Sequence, residues 1–227
     1  MRINKYKNNG FTITELLIST AVFSVVVMVI SSMTIQIARM YYKGINLTKT
    51  QTTTRNILST FSSPIQFENE QITQVDLVNN GGLTQKYFCV GTTGYTYVEG
   101  LRVDSGATSY NEVSKTIPHV LWQSNNSSVA ECIDNAKNNV NLADKNISVN
   151  GRDLIFDKMW LKELTINEVT DKNNLWYIKV NVLFGDRDLM LPADNMNAPP
   201  ESCRGGIAGS QWCAQSYYET YIYKRVY

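Results

Sequence analysis

Gly10-Phe11-Thr12-Ile13-Thr14-Glu15-Leu16-Leu17-Ile18 opens a stretch in which Glu15 is the one ionisable residue between positions 11 and 38. Residues 16–38 carry no charge at all. As a helix rising about 1.5 Å per residue they span roughly 35 Å, enough for a bilayer core of about 30 Å. Upstream lie Arg2, Lys5 and Lys7 without any acid, which favours a cytoplasmic N-terminus. Arg39 and Lys43 beyond the run weaken that asymmetry without reversing it. A secretory signal peptide shares the basic-then-apolar order, but it has a shorter apolar core and a small-x-small cleavage site after it. Here the long run leads into residues 33–40 without such a site, and the small residue, Gly10, stands before it. Glu15 is the anomaly. A carboxylate in lipid costs several kcal/mol on insertion scales, roughly 2.5–3.5 at a helix centre, and such residues have partners.

Outward from this stretch, the composition limits what the chain does. Its 227 residues allow one domain or two small ones. Lys and Arg total 21 against 20 Asp and Glu, a formal +1, which supplies no general electrostatic drive toward nucleic acid. Charged residues make up 18%, below the roughly 25% of an average soluble domain. The single histidine, His119, excludes paired-histidine zinc sites, and a packed or surface role is expected for it. No Ser-His-Asp constellation, phosphate loop or nucleotide fingerprint occurs, so no enzymatic activity is expected. The reading is a membrane-tethered or exported protein with one globular domain.

The segment 10–18 resembles the class III signal of type IV pilins and type II secretion pseudopilins. In that family a prepilin peptidase cuts between the glycine and the phenylalanine and methylates the new amino terminus. The resemblance implies that residues 1–10 are a leader, that Gly10 is its last residue, and that Phe11 is the N-methylated start of the mature chain. It implies further that Glu15 pairs with the terminal amine of an adjacent subunit. That is chemically sensible, because a buried carboxylate needs a cation and such a pair sets register between subunits. Pilin subunits, the peptidase and the membrane are thus the implied partners. The implied location is the cytoplasmic membrane, crossed once with the N-terminus inside, and then an extracytoplasmic filament. One departure from the major pilins is the lack of a proline midway along the apolar helix, where residues 27–33 have none. That fits a minor pilin or a pseudopilin of a secretion system. An alternative of another class is a membrane-anchored binding domain or adhesin that never polymerises.

Pro64 is the first proline, so one helix over 11–63 is allowed, roughly 75 Å long, spanning the membrane over about 16–38 and amphipathic beyond. Ile37, Tyr41, Gly44, Leu47, Leu58 and Phe61 share a face, although Thr48, Thr50, Thr52, Thr53 and Thr54 dilute the helix propensity between them. Residues 64–227 form the globular, β-rich domain. Two strands flank Gly91-Thr92-Thr93-Gly94 as a hairpin, and residues 125–150 hold a short helix or loop. Asn150-Gly151 is a turn, followed by strands at Leu154-Ile155-Phe156 and over 164–169. Another turn is expected at 171–174. Residues 175–184 alternate, with Trp176, Ile178, Val180, Val182 and Phe184 on one face and Tyr177, Lys179 and Asn181 on the other. A surface loop with Pro192, Pro199 and Pro200 precedes a tyrosine-rich strand over 217–226. The fold class is α+β: a long N-terminal helix packed at its outer end against an antiparallel β-meander, a pilin-like layout.

Cys89, Cys132, Cys203 and Cys213 fall in the exported part, where two disulfides with three connectivities are allowed. Proximity favours Cys203 with Cys213, which would leave Cys89 with Cys132, although the sequence does not fix the connectivity. The resemblance adds that a disulfide-bounded loop near the C-terminus is common in the family. A loop this short stabilises by roughly 3 kcal/mol on the chain-entropy model. No C-x-x-C spacing supports zinc. Cofactors are not expected. Asp186 and Asp188 beside Gly185 are the one candidate calcium pair, few for an ion that takes about six to eight oxygens, and a solvated hairpin tip is the plainer expectation. Loss of Arg2, Lys5 and Lys7 with the leader turns the formal +1 into −2, with no basic stripe for DNA. Tyr217, Tyr218, Tyr221, Tyr223 and Tyr227 are good strand formers and a conceivable binding face.

Overall fold

The computed structural model of the chain describes residues 10–67, 72–80, 83–170, 174–192 and 199–225, with the backbone alone over 74–80. It divides into two compact units, Met1–Tyr42 and Lys43–Tyr227. Helix α1, Ile13–Phe67, contributes to both.

In the first unit all described side chains are exposed. Several of its hydroxyls bond within the helix: Thr20 donates to Leu17 O at 3.0 Å, Ser24 to Thr20 O at 2.7 Å, Ser32 to Val29 O at 2.9 Å and Thr34 to Ile30 O at 2.9 Å. Such bonds let an apolar helix carry serine and threonine at low polar cost.

In the second unit α1 buries Asn46, Thr50, Thr53, Thr54, Ile57, Phe61 and Ile65. This differs from the apolar face expected from the sequence. Phe61 is buried, Leu58 partly, but Leu47 is 38% exposed. Thr50 and Thr54 sit in the packing stripe with their hydroxyls bonded back along the helix: Thr50 donates to Asn46 O at 2.7 Å and Thr54 to Thr50 O at 2.8 Å. With the hydroxyl satisfied, the methyl and Cβ are free to pack.

The helix also continues past its expected end and takes in Pro64. A proline removes the N–H that would reach the carbonyl four residues back, here Thr60 O. The Tyr95 hydroxyl donates to that carbonyl at 3.0 Å, and Arg225 N–H caps Gln66 O at 3.0 Å. The interruption is repaired by residues distant in sequence.

The strands are β1 Ile72–Asn80, β2 Leu83–Val90, β3 Thr93–Tyr97, β4 Leu101–Val103, β5 Thr116–Ile117, β6 Leu121–Asn125, β7 Gly151–Asp153, β8 Met159–Glu168, β9 Leu175–Phe184, β10 Met190–Leu191, β11 Ser202–Cys203 and β12 Ala214–Tyr223. They form two five-stranded sheets, β1-β2-β3-β6-β7 and β12-β9-β8-β4-β5, plus the ribbon β10-β11. All pairings are antiparallel except β4 with β5. The layout is α+β and pilin-like, but the expected meander is divided between two sheets. Between β6 and β7 lie the short helix α2, Val129–Asp134, and a π-helical turn over Asn135–Asn139. Leu154-Ile155-Phe156, expected as a strand, follows β7 instead, with Ile155 buried in the core. The expected turn over 171–173, part of the proline loop (193–198) and Tyr227 lie outside the described residues.

The main core joins Ile57, Phe61 and Ile65 of α1 to both sheets. Phe61 meets Phe88 and Tyr95 edge-on, at ring separations of 5.3 and 4.7 Å. On β9 the expected face holds: Trp176, Ile178, Val180 and Val182 are buried in this core, with Phe184 at its margin. The other face of β9 is also partly covered, with Leu183 in a second cluster around Trp160 and Met190. Trp160 donates to Gly185 O at 2.9 Å. Gly185 has φ of +128°, and a Cβ there would lie 2.8 Å from Trp212 O, so both conformation and space demand glycine.

Cys89 bonds Cys132, linking β2 to α2, and Cys203 bonds Cys213 around the C-terminal loop. Gly94 gives the first disulfide its room, since a Cβ there would lie 2.7 Å from Cys132 Sγ.

Candidate processing and assembly site

The site is the entry to α1. Gly10 is exposed, and a Cβ added there would meet nothing within 4 Å. The fold itself therefore has no need of a glycine at this position. Phe11 is 76% exposed, although an aromatic ring of this size is ordinarily buried.

Thr12 is the N-cap. Its carbonyl accepts the first helical bond, from Leu16 N–H at 3.2 Å, and its hydroxyl oxygen faces Glu15 N–H at 3.3 Å. In return Glu15 Oε2 accepts from Thr12 N–H at 2.9 Å and from the Thr12 hydroxyl at 2.8 Å. This is a capping box, in which cap and carboxylate satisfy each other's backbone donors. The carboxylate also sits where the helix dipole favours negative charge. Thr12 was not among the expected site residues; the signal that identifies it is the Thr-x-x-Glu spacing. Within one chain the Glu15 carboxylate thus has a local partner, while Phe11 and Gly10 extend freely before it.

Behind the cap, Leu16, Leu17, Val22, Phe23, Met28 and Met33 are each more than half exposed. Among the described residues α1 is the one helix long and apolar enough to cross a membrane.

The other candidates are placed elsewhere. Asp186 pairs with Arg102, whose guanidinium lies 6.0 Å from the Trp160 ring, and Asp188 sits in a 3-10 turn, Arg187–Leu189. Among the described residues no group of three or more His, Cys, Asp or Glu side chains assembles around a possible metal position. Tyr218 faces α1, accepting from Arg55 Nε at 2.9 Å. Tyr217, Tyr221 and Tyr223 are exposed on the outer face of β12. There the Tyr177 and Tyr217 hydroxyls both donate to Glu219. Desolvation, and then the bond to Glu219 and its charge, push Tyr177 up to about 12. Conversely, the Tyr217 and Tyr177 hydroxyls hold the Glu219 carboxyl below its ordinary value.

Residues 5–31 match the family described as the prokaryotic N-terminal methylation motif. No curated protein and no solved structure matches the chain. The matched segment contains the Gly10-Phe11 junction, the Thr12–Glu15 cap and the first half of the exposed apolar helix, and this N-terminal signal is consistent with a type IV pilin-like precursor.

Proposed function

We propose that the protein is a structural, non-enzymatic subunit of a type IV pilus-like filament, either a minor pilin or a secretion pseudopilin. A prepilin peptidase cleaves between Gly10 and Phe11 and methylates the Phe11 amine. The observation that carries this reading is the methylation motif over residues 5–31, set at the start of a helix whose side chains over 13–42 are all exposed in the single chain. Lipid covers that surface before assembly, and neighbouring helices cover it afterwards. Glu15 then exchanges its bonds to Thr12 for the ammonium of a neighbour's Phe11, a charge pair in a medium without water. The two disulfides fit a domain folded outside the cytoplasm, with the basic leader inside.

The test has two parts. Mass analysis of the N-terminal peptide, from protein purified out of its own membranes, is expected to give a chain that starts at Phe11 with one added methyl. An uncut Met1 start would overturn the processing role. Glu15→Gln is expected to insert in the membrane and fold normally but to fail in filament incorporation. Wild-type incorporation of that variant would refute the proposed pairing. Complete absence of the wild type from any filament would favour a membrane-anchored domain that does not polymerise.

A further inference from the structure

His119, the one histidine in the sequence, follows β5 and precedes β6. Both of its ring nitrogens face acceptors. Nδ1 lies 2.9 and 3.0 Å from the two carboxylate oxygens of Asp153 on β7, and Nε2 lies 3.0 Å from the carbonyl oxygen of Lys145. A neutral imidazole carries one N–H, so it cannot donate to both. The imidazolium can, and its charge matches the carboxylate. The side chain is 13% exposed, so water does not readily replace a lost partner.

These bonds join three pieces of chain: the connection before β6, the edge strand β7 and the segment 141–150. That segment has no regular secondary structure. Besides the ring, it is held by His119 N–H on Leu142 O at 3.4 Å, by Leu142 N–H on Gln85 Oε1 at 2.7 Å and by Asn125 N–H on Asn150 O at 3.1 Å, and it contains the buried residues Leu142, Ala143 and Val149, so the ring bonds are the pH-dependent part of its attachment.

We propose that His119 is a pH-operated clasp: as an imidazolium it fastens the segment 141–150 to β7, and on losing its Nε2 proton to water it releases the Lys145 carbonyl. The Nδ1 proton is the one retained, because it faces the full charge of Asp153. The neutral ring then presents a lone pair to the Lys145 carbonyl, which is repulsive, and that end of the clasp opens.

The surroundings agree. From β7 the charged group facing the ring is Asp153, and from the segment itself it is Lys145. From the connection between β7 and β8 it is Asp157, which accepts from Ser105 N–H at 3.0 Å. All three line, with His119, a cavity of about 280 Å³ whose apolar wall is Val103, Pro118, Ile155 and Phe156. Trp122 of β6 meets the imidazole edge-on at 5.1 Å and brings no charge. Arg152 is turned away onto Gln123, and Asp144 is occupied by Asn141. Burial pulls the imidazole down, but the Asp153 hydrogen bond, the Lys145 carbonyl and the Asp153 charge outweigh it and hold His119 above its ordinary 6.5. The clasp is therefore complete below pH 6.5 and is lost as pH rises through the higher native value.

The experiment uses the full chain in detergent micelles. With a single histidine, the imidazole region of a carbon–proton correlation spectrum belongs to His119 alone. Its titration midpoint is expected above 6.5, and a midpoint at or below 6.5 would overturn the proposal. Amide hydrogen exchange, normalised to intrinsic rates, is to be followed at pH 5.5 and 8.5. Peptides covering 141–150 should open about tenfold more often at the higher pH for each unit by which the midpoint exceeds 6.5, while β9 peptides do not change. Equal opening at both values would overturn the clasp. His119→Gln should open at the alkaline level at both pH values, and a variant that kept the wild-type pH response would also refute it. Should His119→Gln fail to fold, the wild-type titration and exchange still decide.

Discussion

The two halves of α1 reverse the ordinary rule of burial. In the first unit Val22, Phe23, Val25 and Ile30 stand exposed, while in the second Thr50 and Thr54 are fully buried. Physical chemistry accounts for each half separately. Threonine can be buried cheaply when its hydroxyl bonds to a carbonyl of its own helix, and its branched Cβ then packs like valine. Exposed valine and phenylalanine carry a hydrophobic penalty in water of roughly 25 cal/mol per Å², which a continuous helical surface cannot sustain alone. The comparison teaches that the second half is built for its own sheets, whereas the first is built for something outside the chain.

Mutations can break or sharpen that contrast. The largest effect is expected for Phe61→Ala, which empties the space between Phe88 and Tyr95 and should cost about 3–5 kcal/mol in denaturant unfolding of the solubilised protein. A loss under about 1 kcal/mol would mean that the helix does not anchor the core. Next is Tyr95→Phe. It removes the donor from Thr60 O and leaves a carbonyl that Pro64 has already orphaned, at a cost of about 1–3 kcal/mol. Protection of amides around residues 60–67 should fall with it, and unchanged protection would show that the helix end needs no repair. The smallest effect on the domain is expected for Val26→Ala, within about 0.5 kcal/mol in the same unfolding measurement, because Val26 touches no core. The same variant should weaken filament incorporation, and a marked loss of domain stability would contradict the division into two units.

Much of this was readable from the residues, unevenly. The apolar run and the alternation over β9 are periodic signals, and each leads directly to its element. Proximity favours Cys203 with Cys213, but spacing alone leaves three connectivities open and the structure decides among them; the hairpin is legible from its glycines. The inward face of the second half of α1 was not readable in the same way. Apolar periodicity selects Leu47 and Tyr41, but hydroxyls that satisfy themselves let threonine take the stripe. Nor does any local pattern carry the helix through Pro64, because the repair comes from Tyr95, far along the chain. The helix starts are a different case. Thr12-x-x-Glu15 and Ser128-x-x-Glu131 both spell a capping box, and Ser128 Oγ does accept from Glu131 N–H at 3.2 Å. For Glu15 the membrane surroundings direct attention to a distant cation, although the nearest partner is three residues away.

The attachment of the C-terminal end of the chain to α1 has a mechanical consequence. Asn46 donates to Gln211 O, Arg55 to the Tyr218 hydroxyl, and Gln66 O accepts from Arg225 N–H. The contacts advance in the same order along both partners, so the helix and the C-terminal stretch 211–225 run in the same sense and are riveted at three points. A pull along the helix loads these rivets in shear, so they must yield together and cannot be unzipped one at a time. Tension reaching the second unit through α1 is thereby handed to β12 and, through its ladder with β9, spread across a whole sheet.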